Sequence, residues 1–452
     1  MASYSYSDAS AYVNDEGDVA GVSKGRNEDG DSSASMRPKP APGTAKHIFH
    51  RFPPNHHYLT SLLLLPSKAA PTPPCRVPSH FCVYTSCQYT VNMSGENGVN
   101  KQVEFELAPG RMVGQNHPVF VIAEIGQNHQ GDINIAKELI KVAKDAGADC
   151  AKFQKSNLAV RFNRAARERP YNSRNAWGPT YGEHKAFLEF SEAEFRELQA
   201  YAKEIGIFFT SSAFDESALE FLDSIDVPFL KIPSADANNF QYIERAAKMN
   251  RPLVISTGMQ DMETVKQIYE TVKAHHDKFV LLQCTSTYPL DAKDVHLLVI
   301  QEYKERFPDV PIGYSGHEGG VAITTAAVAL GAKVVERHIT LNKSWKGSDH
   351  AASLDPAELT ALVKAIREVE TALGTRTKKM RDSESALLKK MGKSIVARGN
   401  IPRGTIILKE NTQAKVAEPS GIQPQLLKKR ILGRRTRRDL ADDETILEED
   451  LE

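Results

Sequence analysis

Two histidines near the middle of the chain stand at matching ends of two short strand-like segments. Residues 311–317 end at His317, and residues 333–339 carry His338 close to their end. Because side chains at i and i+2 of a strand share a face, Glu336 points the same way as His338. Two imidazoles that converge beside a carboxylate can hold a divalent metal ion. The pattern predicts a metal site at His317 and His338; the alternative is that each is a structural histidine of the core or surface.

Every strand-like segment between residues 119 and 339 ends in polar residues. Two of these ends carry lysines on otherwise apolar strands. A buried ammonium group needs an anion, and neighbouring hydroxyl groups add donors for phosphate or carboxylate oxygens. We therefore predict a polar pocket for a small, phosphorylated, multiply charged substrate, with a Schiff base as the rival role for either lysine. The polar ends are Glu124 and Asn128; Lys152 and Gln154; Ser211 and Ser212; Lys231 and Ser234; Ser256 and Thr257; Thr285, Ser286 and Tyr288; Ser315 and His317; Glu336 and His338.

The strand-like segments alternate with helix-like segments, which predicts a (β/α)8 barrel of the TIM type with its active site at the C-terminal strand ends. The alternative is an open doubly wound sheet, but residues 124–131 match its glycine-rich phosphate loop poorly. The predicted strands are 119–126, 150–154, 207–213, 229–234, 252–258, 279–286, 311–317 and 333–339. The predicted helices are 135–146, 192–204, 216–224, 241–248, 262–274, 321–330 and 356–373.

Composition divides the chain into four parts. Residues 36–92 are rich in proline and contain no acidic residue. Such a stretch buries too little apolar area to offset its ordering entropy, so we expect residues 1–100 to be a disordered extension. We expect the barrel over residues 103–375, a charged linker over 376–390, and a small β-rich domain over 391–452.

Charge and cysteine content exclude several classes of protein. The chain has 57 Lys and Arg residues and 57 Asp and Glu residues, so its formal charge is zero and its charges are mixed. We therefore expect neither a nucleic-acid nor a membrane partner. Five cysteines are too few and too scattered for a disulfide framework, and Cys150 and Cys284 read as reduced core residues. The longest aliphatic run, residues 62–65, is too short to span a bilayer. We expect a cytoplasmic protein.

The segment after the second predicted strand, residues 157–189, is expected to be a long loop rich in basic and aromatic residues. Loops at this end of a barrel build its active site. Arg169 or Lys185 could therefore clamp a second phosphate group over the barrel mouth. The alternative is a solvated surface loop.

Ordered motifs along the chain resemble the sialic acid synthase family. The resemblance runs from Phe105 to the C-terminus. It includes a C-terminal domain similar to type III antifreeze protein, which is the SAF or β-clip fold. The motifs are EIGQNHQG at 124–131, AKFQ at 151–154, KIPS at 231–234, STGM at 256–259, QCTS at 283–286 with YP at 288–289, GYSGH at 313–317, ERH at 336–338 and GSDH at 347–350.

This resemblance implies the condensation of phosphoenolpyruvate with open-chain N-acetylmannosamine 6-phosphate to give N-acetylneuraminate 9-phosphate and inorganic phosphate. It implies that His317 and His338 hold Mn²⁺ or Mg²⁺, which polarises the sugar aldehyde. It also implies a homodimer that exchanges its C-terminal domains. The positions that match phosphoenolpyruvate-binding residues are Lys152, Ser212, Lys231, Ser234, Ser256, Ser286, Tyr288 and Ser315. Those that orient water, metal and sugar are Glu124, Gln154, Glu336 and Asp349.

One segment departs from the family pattern. In bacterial relatives an arginine of the partner's C-terminal domain reaches the N-acetyl group of the sugar, but residues 415–419 (KVAEP) contain no arginine. Recognition of the acyl group must differ here, which leaves room for mannose 6-phosphate as a substrate. Two other functions stay open. One is a different phosphoenolpyruvate-dependent 3-deoxy-ulosonate synthase on the same barrel, and the other is a non-catalytic protein that binds carbohydrate or ice.

Overall fold

The computed structural model of the chain describes residues 103–452, so the predicted disordered extension lies outside the described residues. The strands are β1 Glu104–Ala108, β2 Arg111–Gly114, β3 Phe120–Gly126, β4 Cys150–Lys155, β5 Phe208–Ala213, β6 Leu230–Ile232, β7 Leu253–Ser256, β8 Phe279–Cys284, β9 Ile312–Gly316, β10 Val334–His338, β11 Lys393–Ala397 and β12 Thr412–Val416. The α-helices are α1 Ile133–Asp145, α2 Leu158–Arg161, α3 Arg164–Glu168, α4 Tyr181–Leu188, α5 Glu192–Ile205, α6 Glu216–Ser224, α7 Phe240–Lys248, α8 Met262–Lys273, α9 Val299–Arg306, α10 Ala322–Ala329, α11 Pro356–Leu373, α12 Ser385–Met391 and α13 Leu427–Arg430.

Strands β3 to β10 form a closed, parallel eight-stranded barrel in which β10 pairs with β3. All eight predicted barrel strands are present, so the barrel prediction is confirmed and the open-sheet alternative is wrong. Strand β6 is shorter than predicted because a 3₁₀ turn at Ser234–Asp236 ends it. The apolar runs fit strands that are buried on both faces.

The interior of the barrel is apolar at its N-terminal end and polar at its C-terminal end. Phe120, Phe229 and Val280 belong to the buried cluster that fills the apolar half. An antiparallel hairpin of β1 and β2 adds Leu107 and Val113 to the same cluster and closes this end. The hairpin was not among the predicted strands. A second, larger cluster joins the outer faces of the strands to the helices.

The helices that surround the barrel begin and end at capping residues that the sequence supplies. Ser191 and Glu194 form a capping box at the start of α5, and Gly206 ends that helix with a φ of 77°. In this left-handed conformation the N–H group of Gly206 donates to the last carbonyl groups of the helix. Glycine adopts the conformation at low cost because it has no Cβ to clash with the backbone. Asp355 and Glu358 form the same box at the start of α11. All seven predicted helices are present.

The segment 157–189 is not the long loop that the sequence led us to expect. It folds into α2, α3 and α4, which begin at Asn157, Asn163 and Thr180 respectively. Each of these side chains accepts a hydrogen bond from the first turn of its helix, which satisfies an otherwise unpaired N–H group. Stacking of Trp177 on Phe187, with ring centroids 4.6 Å apart, packs the segment further. Helix α9 was also not predicted.

The C-terminal part of the chain has its own small core. Strands β11 and β12 pair in antiparallel fashion, and short bridges tie Ile401 to Leu440 and Thr436 to Leu451. Isoleucine and leucine side chains fill the space between them. Helix α12 lies inside the predicted linker, and its side chains are exposed. Within residues 103–452, no helix has the length and apolar character needed to cross a membrane.

Gly313→Ala should destabilise the barrel. A Cβ at this position of β9 would come within 3.0 Å of the carbonyl oxygen of Val334 and of the Leu282 side chain. Because the first contact is with backbone, the strands must shift, which costs about 1–3 kcal/mol of unfolding free energy. Urea denaturation measures the loss. Gly319→Ala is the matched control, since nothing lies within 4 Å of its Cβ, and equal stability of the two variants would contradict the prediction.

Candidate active site

Four charged side chains meet inside the polar half of the barrel. They are Glu124 of β3, Lys152 of β4, Lys231 of β6 and Glu336 of β10, and all are between 1% and 5% exposed. Strand alternation explains the placement, since Phe120 and Ile122 precede Glu124 on the same face of β3. On each of these strands, the residues that face the barrel interior are thus apolar at the N-terminal end and reach this charged cluster at the C-terminal end.

Lys152 bridges the two carboxylates. Its Nζ lies 2.5 Å from Glu124 Oε2 and 3.5 Å from Glu336 Oε1, and it donates a hydrogen bond of 2.8 Å to Ser212 Oγ. Burial alone would lower the pKa of Lys152, but the two carboxylates outweigh burial and raise it. Lys152 is therefore a fixed positive charge rather than a nucleophilic amine.

Lys231 has weaker compensation. Its Nζ lies 3.7 Å from Glu336 Oε2 and donates a 2.7 Å hydrogen bond to Ser256 Oγ. Burial is the largest influence and lowers the pKa of Lys231. An anionic ligand would offset this cost of burial, because an ammonium group is stable in a low-dielectric site only beside negative charge.

The two carboxyl groups have opposite tendencies. Burial raises the pKa of Glu124 to about 7 despite the contact with Lys152. Burial acts on Glu336 in the same direction, but Lys152 and Lys231 outweigh it and lower the pKa of Glu336 to about 2. Glu336 is therefore ionised at neutral pH, whereas Glu124 can exchange a proton there. Such a divergence between neighbouring carboxyl groups separates an acid–base role from an electrostatic one.

His317 and His338 lie side by side at the ends of β9 and β10, with ring centroids 5.4 Å apart. His317 Nδ1 donates a 2.8 Å hydrogen bond to the carbonyl oxygen of Thr285, which leaves Nε2 with a free lone pair. His338 Nδ1 is buried without a hydrogen-bond partner among the described residues, and Asp349 Oδ2 lies 3.9 Å from it. Burial, followed by the other ring, lowers the pKa of His317 to about 4, so that imidazole is neutral.

These features fit a divalent cation. Both rings are buried, His317 carries its proton on the nitrogen that bonds to protein, and the orphaned nitrogen of His338 faces a carboxylate, as metal ligands require. Across residues 103–452, however, no group of three or more His, Cys, Asp or Glu side chains is arranged around one point. The protein would thus provide two imidazoles, and the other ligands would come from outside it.

Hydroxyl groups lie at or just after the C-terminal ends of strands β6, β8 and β9, around the same end of the barrel. Ser234 Oγ accepts a 3.0 Å hydrogen bond from the N–H group of Gly258. A Cβ at Gly258 would come within 3.0 Å of the hydroxyls of both Ser234 and Ser286, so glycine keeps a concavity open here. On the other side of the cluster, Ser315 Oγ donates to Glu336 Oε1 at 3.3 Å. The ring of Tyr288 lies 4.0 Å from that of His317.

The structure thus gathers most of the candidate residues that the sequence offered, but not all of them. Gln154 joins the cluster by donating to Glu124 Oε1 at 3.1 Å. Lys185 is half-buried at the mouth and donates to Gln127 Oε1 at 2.8 Å. Arg169 is exposed, with its guanidinium 4.3 Å from the centre of the Tyr181 ring. It is therefore a residue of the rim rather than of the polar cluster.

Sequence reasoning named Asn128 as a polar strand end but missed Ser353, through which Asn128 holds Asp349. Asn128 Nδ2 donates to the carbonyl oxygen of Ile339 at 2.8 Å and to Ser353 Oγ at 2.9 Å. Ser353 Oγ in turn donates to the carbonyl oxygen of Asp349 at 2.7 Å. This chain of bonds joins the end of β3 to the loop after β10. The EIGQNHQG motif contained Asn128, but nothing local pointed to a partner 225 residues away.

A cavity of about 880 Å³ lies at the opposite end of the barrel, beside Lys144, Asp149 and Phe208. None of the strand-end residues lines it. The chemistry of the side chains, and not cavity size, therefore identifies the candidate site.

A model of the NeuB family matches residues 139–378, and a SAF domain model matches residues 392–452. The chain belongs to the NeuB family. It is 57% identical over 347 residues to N-acetylneuraminate-9-phosphate synthase of Homo sapiens, which covers 77% of this chain and 96% of the human protein. It is 39% identical over 345 residues to N,N'-diacetyllegionaminic acid synthase of Legionella pneumophila, which covers 75% of this chain and 96% of that protein.

A crystal structure of N-acetylneuraminic acid synthetase from Leptospira borgpetersenii, in complex with citrate, has a TM-score of 0.55 and 33% identity. The match covers 62% of this chain and 93% of that chain. The resemblance to sialic acid synthases and the C-terminal SAF domain are thereby confirmed. This NeuB-family chain is an enzyme of sialic acid synthesis, so the reading of it as a non-catalytic protein is wrong.

Glu124→Gln should change how stability depends on pH. The folded-state pKa of Glu124 is about 7, above its ordinary value of 4.5. The neutral carboxyl thus stabilises the fold below pH 4.5, and this contribution is lost as pH rises through 7. Relative to Glu124→Gln, the wild type should lose about 3 kcal/mol of unfolding free energy between pH 4.5 and about pH 8.5. Denaturant titrations across this range measure the difference.

Glu336→Gln is the control for that experiment. The pKa of Glu336 is about 2, so its contribution to stability is present above pH 4.5 and is lost only as pH falls toward 2. Because Glu336 also raises the pKa of Glu124, Glu336→Gln should move the transition near pH 7 to lower pH without removing it, whereas Glu124→Gln should remove it. Parallel profiles for wild type and Glu124→Gln would show that Glu124 ionises as an ordinary carboxyl.

Proposed function

We propose that this enzyme condenses phosphoenolpyruvate with N-acetylmannosamine 6-phosphate and releases N-acetylneuraminate 9-phosphate and inorganic phosphate. The observation that carries the proposal is the buried cluster of Lys152, Lys231 and Glu336 beside the imidazoles of His317 and His338. The human and Drosophila melanogaster relatives are both N-acetylneuraminate-9-phosphate synthases, which supports the choice of product.

Phosphoenolpyruvate binds along the lysines and the arc of hydroxyl groups. Its phosphate and carboxylate supply the compensating negative charge that is missing beside Lys231. They accept hydrogen bonds from Ser234, Ser286 and the N–H groups near Gly258. Charge-assisted bonds of this kind are about twice as strong as neutral ones. Ser212, Ser256, Ser315 and Tyr288 complete the wall. Lys152 acts as a charge and not as a Schiff-base nucleophile, because the two carboxylates hold it in its protonated form. The negative charge of the bound substrate keeps Lys231 protonated beside it.

His317 and His338 would hold Mn²⁺ or Mg²⁺, which would supply a Lewis acid for the sugar aldehyde. The chain's own residues orient the reactants around it. Gln154 and Asp349 hold the open-chain sugar so that its aldehyde carbon faces C3 of phosphoenolpyruvate. A new bond forms between these carbons, and positive charge develops at C2, next to the ionised carboxylate of Glu336. Developing charge is best stabilised by groups that are already oriented.

Water then adds to C2, and the proton that it loses passes through Glu124 to the alkoxide oxygen left by the aldehyde. The C2 hydroxyl gives its remaining proton to the phosphate as the carbon–oxygen bond to phosphate breaks, so that inorganic phosphate leaves with its electron pair and the keto group of the product forms. Glu124 suits this step because a pKa near the working pH makes a group an effective acid and base. The homodimer with exchanged C-terminal domains and the cytoplasmic location remain part of the proposal.

The direct test is phosphate release by the purified full-length chain from the two substrates, before and after EDTA treatment and after Mn²⁺ is restored. Turnover should require both substrates, stop with EDTA and return with Mn²⁺. His338→Ala should lower kcat by at least about a hundredfold, because it removes half of the protein's ligands. Val160→Ala, at an exposed position, is the control. Turnover that ignores EDTA and His338→Ala would contradict the metal site.

The sugar phosphate binds at Lys185, on the rim formed by α4. Burial in the barrel mouth lowers the pKa of Lys185 to about 8, so the ammonium group is charged below pH 8 and loses its proton above it. For N-acetylmannosamine 6-phosphate, kcat/KM should therefore fall above pH 8, since this ratio reports the free enzyme. Lys185→Arg should move the decline to higher pH, because arginine stays protonated.

Steady-state rates across pH 6.5 to about 9.5 provide the measurement. Unphosphorylated N-acetylmannosamine is the matched control, since it lacks the group that Lys185 binds and should not show the alkaline decline. Arg169→Lys should leave the profile unchanged, because Arg169 lies on Tyr181 and is exposed. An alkaline decline that persists in Lys185→Arg would assign it to another group.

A further inference from the structure

Arg337 is a charged residue on the outer face of the barrel wall. It lies between Glu336 and His338 on β10, and strand alternation turns its side chain away from the site and toward the helix layer. Only 1% of it is exposed, which makes it one of the largest fully buried side chains among residues 103–452. A buried charge is costly unless it is paired and fully hydrogen-bonded.

Glu318 is its partner and is equally buried. Arg337 Nη1 lies 3.0 Å from Glu318 Oε1. Thr324 Oγ1 donates to the same oxygen at 2.7 Å, and the Tyr314 hydroxyl donates to Oε2 at 2.8 Å. Arg337 also donates to the backbone carbonyl of Glu318 and, at 2.9 Å, to that of Gly320. The pair thus binds both side chain and main chain of the turn after β9.

The location of the pair ties it to the histidines. Glu318 directly follows His317, and Arg337 directly precedes His338. The backbone ladder between β9 and β10 ends where Gly316 pairs with Arg337, one residue before His317. Beyond that point, the contact between Glu318 and Arg337 continues the connection between the two strands.

Gly316 provides independent support for this arrangement. A Cβ there would come within 3.0 Å of the Glu318 carboxylate and of the Tyr314 ring. The φ of Gly316 is not positive, so the backbone conformation alone does not require glycine. The space requires it, because the Glu318 side chain folds back over this residue to reach Arg337.

We propose that the Glu318–Arg337 pair is a positioning device that sets the separation and orientation of His317 and His338 from behind the barrel wall. The inference rests on the proposed function, in which both imidazoles hold the metal. Neither residue touches a reactant. Groups that orient metal ligands without binding the metal control its affinity by about 10- to 100-fold.

The test is the affinity of the metal-free full-length chain for Mn²⁺, measured by electron paramagnetic resonance of the free ion. Arg337→Met should weaken Mn²⁺ binding by about 10- to 100-fold, with Arg337→Lys between it and wild type. Tyr314→Phe keeps the ion pair, removes one bond to Glu318, and should weaken binding by about two- to tenfold. The affinity for inorganic phosphate, which reports the lysine pocket, should change by less than about twofold in every variant.

Val272→Ala separates positioning from stability. Val272 is buried in α8, outside this network, and its truncation should lower the unfolding temperature without affecting Mn²⁺. If Tyr314→Phe and Arg337→Lys bind Mn²⁺ like the wild type while they unfold earlier, the pair serves folding only and the proposal is overturned. If Arg337→Met does not fold, Tyr314→Phe and Arg337→Lys decide whether the pair positions the histidines.

Failure of the proposed function has a different signature. If wild type and His338→Ala bind Mn²⁺ equally well, the metal does not bind at the histidines. The ¹⁵N NMR signals of the two imidazoles in the metal-free protein then test the pair alone. Altered signals in Tyr314→Phe, but not in Val272→Ala, support positioning, and unaltered signals in both overturn it.

Discussion

The burial of two lysines inside a closed barrel is the constraint on which the site depends. Lys152 and Lys231 cannot remain charged in that interior without carboxylates, and Glu336 lies between them as a permanent anion. Glu124 ionises only near neutral pH, so below about pH 7 the cluster keeps an excess of positive charge. That excess favours a small polyanion over a neutral ligand. The same charges would be mobile and hydrated on a surface, and their effect on a substrate would be far weaker.

The barrel meets this constraint by dividing its interior along the strand direction. Phe120, Phe229 and the hairpin of β1 and β2 fill the N-terminal half with apolar side chains, which excludes water from below the charges. Because each inward row is continuous along one strand, packing of the apolar half fixes the height and direction of the polar half. The apolar outer face of the barrel wall also contains a buried ion pair, Arg337 with Glu318. Arg337 lies between Glu336 and His338 in the chain, and Glu318 follows His317. Chemistry inside the barrel thus depends on contacts on both sides of its wall.

Strand alternation explains why so much of the fold and site was predictable. Apolar runs that end in polar residues revealed the barrel strands, and their positions at strand ends assigned Glu124, Lys152, Lys231 and Glu336 to one pocket. Contacts between distant segments were not predictable in this way. The three helices within 157–189 depend on capping by Asn157, Asn163 and Thr180 and on aromatic packing, and the bond from Asn128 to Ser353 depends on the closure of β10 onto β3. Composition made Arg169 and Lys185 equivalent, whereas the structure separates an exposed cation from a half-buried one.

That separation bears on how the enzyme selects its sugar. The interior recognises charge with side chains on rigid strands, and such groups tolerate little change. The rim is built from short helices, where Lys185 donates to Gln127 and Arg169 lies on Tyr181, so the position of its cations depends on contacts outside the buried cluster. Under the proposed function, in which Lys185 binds the sugar phosphate, a substitution in α4 would alter the preference for a phosphorylated sugar while the buried cluster stays intact. Specificity and reactivity would then reside in parts of the molecule that obey different constraints, and the first could change without loss of the second.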